Sequence, residues 1–263
     1  MTKHLISFVT VALLSLLPAT AALSQSEKPQ ASQQDIGQTV SPNKAKRRFF
    51  LRNEYRERED DTGINVFEAL YDLPLSDDLV LRTQIPYVTN NPPQGSSSDG
   101  LGDITNVLYY SYKRGGGKSY FIGLEGRWNT ASKPNLGVGN TLLAPTWFAS
   151  INVPKYNTIF FPLAQIFFSV AHDDGREELN YTVLKPRWLT KLKNRYYTFV
   201  EPVIYIDHEN NNETTGMLEL ELGRFVNPQT MAYARPGAGL WGETDSRYLF
   251  EWNFEIGVRY FFK

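Results

Sequence analysis

Residues 247–263 read RYLFEWNFEIGVRYFFK. Every second residue from Tyr248 is apolar or aromatic: Tyr248, Phe250, Trp252, Phe254, Ile256, Val258, Tyr260 and Phe262. The other parity holds Arg247, Leu249, Glu251, Asn253, Glu255, Gly257, Arg259 and Phe261, mostly charged, polar or small. Alternate side chains of a strand point to opposite faces. The stretch therefore predicts one long strand with an oily face and a charged face. It exceeds the roughly 5–6 residues usual in soluble sheets. Its oily face carries aromatics at both ends, as strands do where aromatic girdles mark two lipid–water boundaries. The competing reading is a long strand of a soluble barrel, and the rest of the chain decides between them.

The 263 residues fit one large all-β domain or two small ones. No Cys is present, which excludes a disulfide framework, a thiolate metal site, a cysteine nucleophile and a lipid-anchored N-terminal cysteine. A formal net charge of −1 supplies no basic field for nucleic acid. Aromatics make up 14% of the chain, yet the mean hydropathy is −0.37. A barrel reconciles the two, because half of each strand is apolar while lumen and loops are polar. At the start, Lys3 and His4 precede an apolar core over residues 5–17, and Ala19-Thr20-Ala21 offers small residues for cleavage. With Ser24 as a second cleavage point, residues 1–24 read as a signal peptide. Residues 25–47 contain no aromatic side chain and too little apolar surface to offset ordering, so they read as a disordered periplasmic segment. Residues 48–263 remain for the barrel. No apolar run reaches the roughly 20 residues of a spanning helix; in a membrane, only a closed barrel would satisfy this backbone.

From residue 49 onward there are twelve strand-like runs: 49–57, 64–73, 79–89, 101–112, 119–129, 141–152, 158–171, 179–190, 196–207, 216–226, 230–241 and 247–262. Most repeat the two-faced pattern, whereas 101–112 mixes polar and apolar residues on both parities. Connectors sort into two alternating classes. Those at 57–63, 90–100, 130–140, 172–178, 208–215 and 242–246 are rich in Asp, Glu, Asn, Ser and Gly. Those at 74–78, 113–118, 153–157, 191–195 and 227–229 are short and mostly neutral or basic. Long external loops alternating with tight periplasmic turns, and an even strand count, predict an all-β, transmembrane, up-and-down antiparallel barrel. A Greek-key sandwich would not sort its loops this way.

A charge facing lipid costs about 2–4 kcal/mol at the midplane for Arg or Lys. Parity therefore assigns Arg52, Glu54, Arg56, Arg82, Glu125, Arg127, Lys185, Arg187, Glu201, Glu219, Glu221, Glu251, Glu255 and Arg259 to the lumen. Both signs occur in similar numbers. They could pair into braces that fill the interior, or line a wetted path whose transverse field orients a polar solute. The loops are acidic at Asp60, Asp61, Asp173, Asp174, Glu177, Glu178, Glu243 and Asp245. Such a mouth would favour cations by focusing, or form a solvated rim that meets lipopolysaccharide through divalent ions.

Gly100-Leu101-Gly102-Asp103-Ile104 follows a long polar loop, after Leu73-Pro74-Leu75-Ser76-Asp77-Asp78 and a run containing Ile85-Pro86-Tyr87. With this order of motifs, the chain from about residue 49 onward resembles the outer-membrane barrels grouped as the phenol-degradation meta-pathway transporter family. The resemblance implies a porin-like channel or transporter in a Gram-negative outer membrane, passing small molecules of the hydrophobic or aromatic class. It implies outer-membrane lipids, lipopolysaccharide and the barrel assembly machinery as partners, and no catalytic residues, cofactor or metal. Lys263 departs from the aromatic residue that normally ends such barrels. Physically, Gly100 and Gly102 permit a bulge or bend at the rim, which would set Asp103 at the external mouth to hold loop amides.

The alternative functions are a non-conducting structural or adhesive barrel and a lipid hydrolase. The twelve-stranded outer-membrane phospholipase uses a His and a Ser two residues apart, oriented by an Asn. Here His172-Asp173-Asp174-Gly175, with Asn180 nearby, puts Asp174 in the serine's place, and Asp cannot act as that nucleophile; no enzyme is expected. His172 and His208, on adjacent external loops, could share a metal with Asp173 and Glu209, but two loop histidines with acidic neighbours ordinarily hold none, and no metal is expected.

Overall fold

The computed structural model describes residues 45–242 and 249–262. The segment read as a signal peptide, residues 25–44 of the segment read as disordered, and Glu243, Asp245, Arg247, Tyr248 and Lys263 lie outside the described residues.

Thirteen strands follow one another: β1 (Arg48–Glu57), β2 (Gly63–Pro74), β3 (Leu79–Asn91), β4 (Ser98–Leu101), β5 (Thr105–Gly115), β6 (Lys118–Arg127), β7 (Asn140–Val153), β8 (Thr158–His172), β9 (Asn180–Lys191), β10 (Tyr196–Asp207), β11 (Glu213–Asn227), β12 (Thr230–Trp241) and β13 (Trp252–Phe261). All pairings are antiparallel and, β4 and β5 apart, join strands consecutive in the chain; β1 pairs with both β2 and β13, so the sheet closes on itself. β4 and β5 both pair with β3, one along its far half from Tyr87 to Asn90, the other along its near half from Leu79 to Gln84. They are two pieces of one stave, which leaves twelve staves in up-and-down order. The mixed run at 101–112 has its reason here: the chain breaks out of the ladder at residues 102–104, and parity restarts on the other side.

Burial is inverted relative to a soluble protein. Along β13, Trp252, Phe254, Ile256 and Val258 are 41–51% exposed on the outside, while Asn253 and Glu255 are 1% exposed on the inside. The same holds for Ile122 and Leu124 of β6 and for Leu220 and Leu222 of β11. Charged groups are enclosed and aliphatic groups form the outer surface, as lipid requires. The interior is not purely polar. Apolar clusters face inward as well, one around Leu142, Phe167, Val183, Val203 and Met217, another around Phe161, Leu189, Tyr197, Phe225 and Met231. Tyr197 lies against Gly223, its partner on the next strand, where a Cβ would come within 2.1 Å of the phenol oxygen.

Two readings of the C-terminal stretch are corrected. The final strand begins at Trp252, so alternation does not extend back through 249–251. Phe250, expected on the oily face, turns inward with Leu249; they are 4% and 5% exposed, within the cluster of Leu142 and Val203. Two consecutive buried residues are incompatible with a period of two, and the chain bends there before entering the ladder. Glu251, expected in the lumen, is exposed just ahead of β13.

If the outer face meets acyl chains, Leu220→Arg, at the centre of β11, should destabilise the lipid-embedded barrel by about 2–4 kcal/mol. Urea titration in lipid vesicles measures this; an unchanged midpoint would mean that the face meets water.

Candidate functional site: the barrel lumen

Inward side chains from eleven of the twelve staves, all but β7, surround a cavity of about 750 Å³. Its lining begins at Arg48 and Phe261, at the short-turn end, and reaches Asn135, Leu136 and Arg176 at the long-loop end. The volume falls within the roughly 300–1,000 Å³ typical of small-molecule sites, far from a wide aqueous pore.

Of the residues assigned to the lumen by parity, Arg52, Glu54, Arg56, Arg82, Glu125, Arg127, Lys185, Arg187, Glu201, Glu219, Glu255 and Arg259 line this cavity. Glu221 is inside but sits behind the lining, held by its partners, and Glu251 is outside. Charges are paired, in two clusters and several separate pairs. Around Glu221, the Tyr197 hydroxyl donates to one carboxylate oxygen; Arg235 approaches at 2.5 Å and Arg259 at 2.7 Å. Around Glu255, Arg52 bridges to Glu68 at 2.5 Å and to Glu255 at 3.1 Å, and the Tyr233 hydroxyl donates to Glu255 at 2.6 Å. Asn253 donates to both Glu54 and Glu219 at 2.8 Å, which joins the Glu54–Arg56 pair to Glu219, itself 3.6 Å from Arg235. Arg82 makes a two-pronged pair with Asp72 at 2.7 and 3.0 Å, and Lys185 meets Glu201 at 3.0 Å. The two possibilities left open by the sequence coexist: pairs brace the wall, and a cavity remains between them.

Sequence reasoning missed Glu68, Asp72 and Arg235. In β2, Glu68 and Asp72 share their parity with Val66 and Leu70, so that face reads as mixed. Arg235 is the lone charge in β12, among Ala, Gly and Pro. The signal that could have found them is charge complementarity: each faces an opposite charge at its own level of a neighbouring stave.

The loop over residues 128–139, read from the sequence only as a long external connector at 130–140, folds inward and narrows the mouth. It is pinned by Asp103, between β4 and β5. One carboxylate oxygen accepts the amides of Thr130 (3.2 Å) and Ala131 (3.1 Å), and the other accepts the amide of Val138 at 2.7 Å. Ser132 donates its backbone N–H to Leu101 at 2.9 Å, and Arg176 donates to the Pro134 carbonyl at 2.9 Å. Gly100 has φ +154°, and a Cβ there would meet Ser132 Oγ at 2.2 Å; at Gly102 it would meet Val88 at 2.8 Å. The rim motif thus lets the loop lie against the wall and turns Leu136 into the cavity. Among the histidines, His172 Nε2 lies 4.0 Å from Glu178, while His208 bonds Thr182 and Asn212.

No protein-family model and no curated protein matches this chain. Solved structures do. The chain is similar to the NanC porin (11% identity, 81% of this chain and 98% of that one, TM-score 0.60) and to the KdgM porin (13%, 82% and 99%, 0.58). It is also similar to the COG4313 outer membrane channel from Pseudomonas putida F1 (9%, 86% and 98%, 0.64). At these identities the likeness is one of fold, and it extends along nearly the whole length of each neighbour.

Hydrogen bonds to a charged group contribute about 1.5–3 kcal/mol each. Asp103→Ala should therefore free the loop over residues 128–139 while leaving the staves closed. Limited proteolysis should cut there in the variant and not in the parent, with the heat-dependent gel shift of the folded barrel retained. Equal resistance would show that the carboxylate is not the latch.

Proposed function

We propose that the protein is a channel of the Gram-negative outer membrane that passes small molecules one at a time. The single observation that carries this reading is the cavity that runs from the short-turn end to the long-loop end inside a closed barrel. A barrel that served only as a scaffold could fill its centre, as eight-stranded ones do. The oily exterior is matched to outer-membrane lipid, with the long loops on the external side beside lipopolysaccharide. The barrel assembly machinery would insert the chain after export by a signal peptide over residues 1–24. The solute class is hydrophobic or aromatic, as in the phenol-degradation meta-pathway transporter type. That assignment is supported by the Gly100, Gly102 and Asp103 motif, placed where it can shape the mouth, and by the apolar clusters on the inner wall. The chemistry asked of the residues is positioning and passage, with no bond made or broken.

The test is single-channel recording of the refolded protein in planar bilayers. Discrete conductance steps, smaller than those of sixteen-stranded porins, are expected. Silence across salts and voltages would contradict the channel reading.

A further inference from the structure

Lumen charges do not cancel. Among the described residues, eleven cationic side chains line the cavity and seven carboxylates face them; the buried Asp72 and Glu221 raise the acidic count to nine. Part of the excess has a location in the middle of the wall. Arg187, on β9, is a cavity-lining guanidinium with no carboxylate within 4 Å among the described residues. Its Nε donates to the backbone carbonyl of Phe161 at 3.1 Å, and its two terminal nitrogens have no protein partner there. It shares the cavity wall with Glu201, on the adjacent stave, and with two further arginines, Arg82 and Arg235, from β3 and β12. Three guanidiniums from separate parts of the wall therefore face one enclosed space, where like charges repel more strongly than in water. Arg82 and Arg235 are each compensated by their own acids; Arg187 is not.

Aromatic faces adjoin this cationic centre. Arg82 and Arg259 both lie over the Phe50 ring at 5.8 Å, and Arg235 lies over Phe199 at 5.9 Å. Phe50 and Phe199 both line the cavity. An open guanidinium fork beside aromatic surface suits a carboxylate attached to an apolar body. The fork accepts a carboxylate through two parallel charge-assisted hydrogen bonds, and the rings cover the remainder of the solute.

We propose that Arg187 is the anchor of an organic-anion site in the lumen, and that the solute is a monocarboxylate with an aromatic or aliphatic body. This deepens the channel reading and rests on it for transport, though binding itself does not require conduction. Acidic loops at the mouth oppose such a solute only at long range. Their field is screened beyond about 8 Å at physiological salt, so selection would occur inside.

Benzoate is the probe, on the full-length refolded protein. In bilayers, millimolar benzoate should interrupt the chloride current of the parent. In Arg187→Gln, benzoate affinity should fall roughly tenfold or more, the loss expected for one charge-assisted fork. Arg187→Lys, which keeps the charge but not the fork, should fall between them. Calorimetric titration of benzoate into detergent-solubilised parent and variants gives a second readout that needs no conduction, with the heat-dependent gel shift certifying each barrel as folded. Benzoate binding without conductance would overturn the channel reading and leave the anion site standing. Equal benzoate affinity in parent and Arg187→Gln, or no binding by the parent, would overturn the anion site even if the channel conducts.

Discussion

Ten residues of β1 pair with ten of β13, from Arg48 against Phe261 to Glu57 against Trp252. This last ladder decides everything else. A twelve-stave sheet left open would present two rows of unpaired amides and carbonyls, each costing several kcal/mol in hydrocarbon. Closure satisfies both rows at once and divides the surface into an outside that meets acyl chains and an inside that does not. Alternation along each stave then sorts the residues, so Phe254 and Ile256 go out while Asn253 and Glu255 go in.

Enclosure creates the second constraint. Ionised groups taken out of bulk water lose hydration, and only partners at hydrogen-bond distance compensate. Glu221 shows the solution, with two guanidiniums and one phenol on a single carboxylate. Asn253, a neutral side chain, ties two acidic groups that would otherwise repel. A wall so braced holds its shape around the cavity without filling it. Arg187 differs: its terminal nitrogens meet no protein partner among the described residues, which is where the proposed anion would bind.

The staves were legible from sequence because a period of two is a local property, visible in Ile204 and Ile206 against Glu201 as readily as in the last strand. Lumen charges were legible for the same reason. What escaped was everything that leaves the ladder. Phe250 and Leu249 fold inward from a bend, so parity pointed Phe250 the wrong way and put Glu251 inside. The mouth loop carries no period, and Asp103 reaches amides 27–35 residues away; the Gly-Leu-Gly-Asp step marked the latch but not what it holds. Asp72 and Arg235 needed the neighbouring stave to make sense of them.

The most direct test of the central claim uses the native tryptophans. All five, Trp128, Trp147, Trp188, Trp241 and Trp252, lie on the outer face and are 37–46% exposed. In vesicles of lipids brominated along the acyl chains, tryptophan fluorescence should be strongly quenched, while aqueous iodide should quench it weakly. Strong quenching by iodide with no effect of the brominated lipid would place those rings in water and contradict the inverted barrel.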